Sequence, residues 1–155
     1  LNGEYIRAMD DKELAKILVE EKLSQLEIER ILELLPLVKE RMKQLTEFDL
    51  LTKFFVTDIS MVKEEFIPKE RNSKETLEIL TSISTLLKDI EWAEKSLEEA
   101  ISRYQENSSW SRKELFMCLR YVVSGSHATP PLFQTIEKLG QEKTLARINQ
   151  AIKQL

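Results

Sequence analysis

Apolar positions along this chain recur at three- and four-residue spacing, and no stretch alternates apolar and polar residues for long enough to make a useful strand. Asp10 or Asp11 offers a cap for a short helix that runs to about residue 20. Ser24-Gln-Leu-Glu27 has the form of a capping box, in which the Ser hydroxyl accepts from a free backbone N–H and the Glu carboxylate reaches back. The helix it opens carries Ile28, Ile31, Leu32 and Leu35. Leu35-Pro36 predicts a break or kink, because proline disfavours helical geometry in the residue before it. A second stretch, 36–45, then starts on Pro36 and buries Val38, Met42 and Leu45. Apolar density rises over 47–55 (Phe48, Leu50, Leu51, Phe54, Phe55), which predicts a short helix or turn plugging the core.

Residues 57–72 read as irregular, with 67–72 as a surface joint. The expected organisation is therefore two small helical subdomains, 1–70 and 71–155. Ser73 begins the next helix, whose stripe is Leu80, Ile83, Leu87 and Ile90. Another runs over 91–105 with Trp92 near its start. Ser111-Arg-Lys-Glu114 is a second capping box. Its helix holds Leu115, Cys118, Leu119 and Val122 on one face and stops at Gly125, the usual place for a glycine C-cap. Thr129 can cap a helix whose first turn carries Pro130 and Pro131, where a missing N–H costs nothing. Leu132, Ile136 and Leu139 form that helix's stripe, and Gly140 ends it. The last helix, 142–155, buries Leu145, Ile148, Ile152 and Leu155. Every element is a helix packed by one face, so the fold class is all-α.

Composition narrows the chemistry. The 155 residues are 42% hydrophobic and 32% charged, which is globular rather than disordered. With one cysteine (Cys118) and one histidine (His127), a single chain has no disulfide framework, no cysteine zinc site and no histidine-pair metal site. Cys118 lies on an apolar stripe and reads as a buried, inert thiol. No phosphate-binding glycine loop is present, and Glu98-Glu99 reads as a solvated helix face rather than a catalytic pair. No apolar run has the length of a membrane span, no signal-peptide pattern appears, and cytoplasmic residence is expected. Leu1 in place of Met suggests a piece of a longer chain.

The net charge of −4 hides an asymmetry. Residues 1–100 hold 15 Lys/Arg and 23 Asp/Glu, net −8, whereas 101–155 hold 8 and 4, net +4. A basic end confines an anionic partner to that end; drift of surface charge would leave the same numbers. Arg120 falls at the edge of its helix's buried stripe and leans toward a small polar turn. Beyond that turn two prolines hold Leu132 and Phe133 at a helix start. Cations, free helix N–H groups and exposed apolar side chains together suit single-stranded RNA. Taken by periodicity alone, Leu132 and Phe133 are core. The rival use is a helical protein-interaction module built on the acidic part.

The stretch Leu119-Arg120-Tyr-Val-Val-Ser-Gly125-Ser-His-Ala-Thr129-Pro130-Pro131-Leu132-Phe133, followed by Leu139-Gly140-Gln-Glu-Lys143 and Leu145-Ala-Arg147-Ile148, resembles the anticodon-binding region of bacterial-type glutamyl-tRNA synthetases. Leu1-Asn2-Gly3-Glu-Tyr5-Ile6-Arg7 resembles the segment that follows that family's catalytic half, and 39–48 resembles its R-x-x-T-L-x-E-F stretch. The resemblance implies a two-part, all-helical anticodon-binding cage of a class I synthetase. It implies a catalytic half, using ATP and Mg²⁺, that lies outside these residues, with no catalytic residue, metal or cofactor here. The partner it implies is a glutamate-type tRNA, bound by a monomer. Carried over by position, Arg41 matches an arginine that approaches the third anticodon base, and Arg120 one that contacts the anticodon. Thr129, Pro130, Leu132 and Phe133 match the turn and helix start against which anticodon bases pack.

Overall fold

A computed structural model of the chain describes residues 2–155, so Leu1 of the N-terminal resemblance lies outside the described residues. Among the described residues there are ten α-helices and no strand. The chain divides into two compact units, one ending at Asp58 and one running Ile59–Leu155.

The first unit holds α1 (Gly3–Ala8), α2 (Asp11–Glu20), α3 (Ile28–Val38) and α4 (Glu47–Val56). α2 starts where expected, after Asp10, although the Asp10 carboxylate makes no capping hydrogen bond. The box expected at Ser24–Glu27 does not form. Glu27 is itself the N-cap residue of α3 and makes no side-chain cap. Ser24 Oγ instead accepts from the Leu26 N–H at 3.2 Å, a local turn that competes with helix. The buried stripe sets this phase: Ile31, Leu34, Leu35, Leu37 and Val38 are buried, whereas Ile28 is 43% exposed.

Pro36 does not break α3, which runs on to Val38. The proline ring costs the Leu32 carbonyl its helical partner. Two buried residues on each side, Leu34, Leu35, Leu37 and Val38, hold the helix in place against α2 and α4. A 3₁₀ turn, Lys39–Arg41, follows directly. In α4, Phe48 and Phe55 are fully buried and plug the core as their density predicts.

The second unit holds α5 (Lys63–Phe66), α6 (Ser73–Leu86), α7 (Glu94–Glu106), α8 (Arg112–Ser124), α9 (Leu132–Leu139) and α10 (Gln141–Ile152). The unit boundary falls after Asp58 rather than at 70, because the segment from Ile59 onward is tied to α8 and to the C-terminal helix. The Val62 N–H donates to Tyr121 Oη (3.0 Å), and Gln150 and Gln154 donate to the Ile59 and Met61 carbonyls (both 3.2 Å). α6 begins at Ser73, as expected, and is capped by a reciprocal Asn72–Glu75 box. α7 begins at Glu94, later than expected. Trp92 lies in the preceding turn, where its Nε1–H donates to the Ile136 carbonyl (3.3 Å).

α8 follows its sequence closely. Ser111 Oγ accepts from the Glu114 N–H (3.1 Å), and Glu114 accepts from the Ser111 N–H (2.8 Å). It ends on Gly125 at φ 77°, a left-handed conformation. A Cβ there would also stand a tight 3.3 Å from Ile59 Cβ and from the Ser60 carbonyl oxygen, so the close approach adds to the conformational preference for glycine. The two prolines are not in the first turn of α9: Pro131 is its N-cap residue, and Thr129 makes no cap.

Candidate nucleic-acid interface

The central cation is Arg120. α8 turns Leu115, Leu119, Val122 and Val123 into the core, so Arg120 falls at the stripe's edge and is half-buried. Its Nη1 donates to Thr129 Oγ1 (2.8 Å) and to the Pro130 carbonyl (3.1 Å). Thr129 therefore spends its hydroxyl on the arginine rather than on a helix N-terminus. The turn between them is tied down by hydroxyls. Ser124 Oγ reaches the Arg120 and Ser126 carbonyls (2.6 and 2.8 Å), and Ser126 Oγ accepts from the Ala128 N–H (3.1 Å). Proline's fixed φ stiffens the far side. The result is a guanidinium held by one nitrogen, with its other N–H groups turned to no protein acceptor among the described residues.

His127 stands at the tip of this turn, exposed. Its Nε2 is 3.3 Å from a Glu65 carboxylate oxygen, and its ring centroid is 5.0 Å from that of Tyr121. Behind the turn, the buried Arg147 donates from α10 to the Val123 carbonyl, taking up an acceptor in the last turn of α8.

Leu132 and Phe133 do not present the exposed apolar surface expected of them. They are 3% and 8% exposed. Their positions are the i and i+1 of the α9 stripe that packs inward with Ile136 and Leu139. Phe133 meets Phe116 edge-on at 5.2 Å, and Arg112 covers Phe116 at 4.5 Å. The apolar group left open beside Arg120 is Met117, 37% exposed. Its sequence context gives it no prominence, although Lys113, Met117 and Arg120 follow the i, i+4, i+7 spacing of one helix face. A depression of about 390 Å³ adjoins this face, lined by Phe66, Ile67, Pro68, Met117 and Cys118 with charged groups around them.

Two of the carboxylates around that depression have partners: Glu65 faces His127, and Glu114 is held by Arg71. Arg71 donates Nε and Nη2 to the two oxygens of Glu114 (3.0 and 3.1 Å) and Nη1 to Glu75 (3.0 Å), with its guanidinium 5.0 Å over Trp110. The Arg71 hydrogen bonds, then the Ser111 N–H, hold the Glu114 carboxyl below the usual carboxylate range, and the same bond raises Arg71. Burial pushes the Cys118 thiol up to about 12, so it is a neutral, inert wall, as its place on an apolar stripe predicts.

Arg41 belongs to the first unit. It ends the 3₁₀ turn and is exposed, while its neighbour Lys39 is anchored on the Met9 carbonyl and Asp11 (2.7 Å to the latter). Arg7 and Lys43 are exposed nearby: a Cβ on Gly3 would stand 3.0 Å from Arg7 Nη1, 3.2 Å from the Met42 carbonyl oxygen and 3.6 Å from Lys43 Cα. Thus Arg120, Thr129 and Pro130 form one bonded group, Leu132 and Phe133 are interior, and Arg41 lies in the other unit. Among the described residues there is no cluster of three metal-ligating side chains, and no helix is long and apolar enough to cross a membrane.

A family profile described as an anticodon binding domain matches residues 11–152. A glutamate–tRNA ligase of Solibacter usitatus is 33% identical over 162 residues, covering 100% of this chain and 33% of that protein. One from Borreliella afzelii is 33% identical over 159 residues, covering 94% of this chain and 32% of that protein. The chain spans about a third of the length of the curated relatives it matches. Among solved structures, a glutamate tRNA ligase of Elizabethkingia meningosepticum in complex with its amino acid superposes with a TM-score of 0.81 at 23% identity, over 99% of this chain and 31% of that one. The fold is thereby the all-helical fold of that stretch of the solved structure, in agreement with the all-α expectation.

Proposed function

The chain belongs to the anticodon-binding domain family, and from that premise we propose that it binds the anticodon loop of a glutamate-type tRNA as one part of a glutamate–tRNA ligase. The observation that carries this reading is the Arg120–Thr129–Pro130 group. It offers a guanidinium with one nitrogen fixed and the others open, the form suited to base acceptors and phosphates. In this reading Arg120 contacts the loop, Thr129 and Pro130 position it, and Leu132 and Phe133 support the turn from inside. Arg41 supplies the second contact, at the third anticodon base, and separates glutamate from glutamine tRNA.

In the longer protein the remaining length joins glutamate to the tRNA with ATP and Mg²⁺. This chain supplies recognition and no chemistry, and acts as a monomer in the cytoplasm. An aminoacylation assay on these 155 residues should read zero. A titration of a labelled glutamate anticodon stem-loop should show saturable binding whose log K falls linearly with log salt, as counterions are released. Absence of binding would contradict the reading. A protein-docking role has its own support in the first unit, where Leu50 is 74% exposed and Val56 43%, beside an apolar depression of about 460 Å³. Binding through that patch would be nearly insensitive to salt.

A further inference from the structure

α10 carries a residue that bears on the RNA site from behind. We propose that Arg147 is a positioning residue: from the interior it fixes the end of α8, and with it the turn on which Arg120, Thr129 and Pro130 meet. This rests on the anticodon-loop reading and adds to it a residue that RNA does not touch.

Burial singles it out. Arg147 is 5% exposed, and among the described residues it is the one charged side chain that is buried. Taking a cation out of water is costly, and an apolar side chain of similar length would fill the same space without that cost. What the guanidinium adds is a directed donor. Its Nη1–H donates to the Val123 carbonyl, two residues before Gly125. That carbonyl lies in the last turn of α8, where no further helical N–H remains to take it.

The RNA site hangs from that end of the helix. Arg120 lies about one turn before it, and the groups that accept from Arg120, Thr129 Oγ1 and the Pro130 carbonyl, lie just after it. A shift of the last turn of α8 therefore moves the guanidinium relative to both acceptors. The C-terminal helix is placed to resist such a shift. Arg147, Gln150 and Gln154 follow the i, i+3, i+7 spacing of one helix face, and each donates to a backbone carbonyl outside that helix: Val123, Ile59 and Met61. Tyr121 Oη and Gly125 meet the same 59–62 segment from α8. Of the three donors, Arg147 is the one that reaches α8 itself.

The test uses this 155-residue chain and a glutamate anticodon stem-loop, with folded helix content checked by circular dichroism before each titration. Arg147→Met, which keeps the length and removes the donors, should bind about tenfold more weakly. Arg147→Lys, which can still donate to Val123, should stay within about threefold of the original. On an Arg120→Ala background Arg147→Met should cost nothing more, because both changes remove the same arrangement. Gln154→Ala, which unties the same helix face at Met61, should bind within about twofold of the original. Arg147→Met binding as tightly as the original, or a loss that repeats in full on the Arg120→Ala background, would overturn the positioning role while leaving the anticodon-loop reading in place. Should Arg147→Met not fold, Arg147→Gln replaces it in the same cycle, and loss of the fold in both would make Arg147 a stability residue and overturn the role too. Failure of the original chain to bind the stem-loop would remove both the role and the reading.

Discussion

Arg120 and Arg41 carry the same guanidinium in opposite circumstances. Arg120 sits half-buried at the edge of a fully packed helix, with Nη1 fixed by Thr129 and Pro130. Arg41 ends a short 3₁₀ turn in the open, and the anchoring in its neighbourhood is done by Lys39. An arginine side chain has about 2 kcal/mol of rotamer entropy to lose. Arg120 has given up part of that before any ligand arrives, so more of its interaction energy reaches the complex. Arg41, in the open, still has that entropy to lose in any ordered contact.

The sharpest way to break this contrast is to remove each arginine. Arg120→Ala should weaken stem-loop binding by about 30- to 100-fold, near the range for charged hydrogen bonds. Arg120→Lys should restore little, because an ammonium cannot keep the Thr129 and Pro130 bonds and still present a planar fork. Arg41→Ala should cost about tenfold with the glutamate stem-loop and less with a glutamine one, narrowing the gap between them. Equal losses from the two arginines, measured by anisotropy titration, would erase the distinction between a prepared and an unprepared site.

The same contrast separates two serines with one sequence signature. Ser111→Ala removes a formed cap and should lower the unfolding free energy by about 1 kcal/mol. Ser24→Ala removes only a local turn and should change it by less than about 0.5 kcal/mol in urea titrations.

A smaller effect comes from Glu114, whose folded-state carboxyl is held below its ordinary value by Arg71 and the Ser111 N–H. Its contribution to stability is complete above the ordinary glutamate value. It is lost as pH falls through the lower, folded value. Glu114→Gln should therefore lower Tm at neutral pH, and the difference from the original should shrink as the solution is acidified below pH ~4. A difference that grew on acidification would contradict the assignment.

Those two serines also show how far local sequence signals reach. Both begin S-x-x-E ahead of an apolar run. At Ser111 the run begins at Leu115, immediately after the glutamate, so the box and the buried stripe agree on where the helix starts. At Ser24 the residue after the glutamate, Ile28, stays 43% exposed, and burial begins at Ile31, so packing starts the helix later. Pro36 is overruled in the same way, by buried neighbours on both sides. Local signals are legible where tertiary packing endorses them.

At the site, Arg120 and its turn are legible because Gly125 and the prolines mark it. The burial of Leu132 and Phe133 follows the periodicity that marks them as core, and it overrules the exposed surface that their place at a helix start suggested. Met117 is the part that stays hidden. It is an apolar residue on a helix whose other face is core, and only the course of 63–68 past α8 shows that it borders a depression.

The central claim is that this chain reads an anticodon loop and not merely a charged RNA backbone. It is tested most directly by comparing, at one salt concentration, a glutamate anticodon stem-loop with a hairpin of identical stem whose loop sequence is replaced. The expected result is at least about tenfold weaker binding to the replaced loop, with the difference reduced in Arg120→Ala. Equal affinity for the two hairpins would contradict the account.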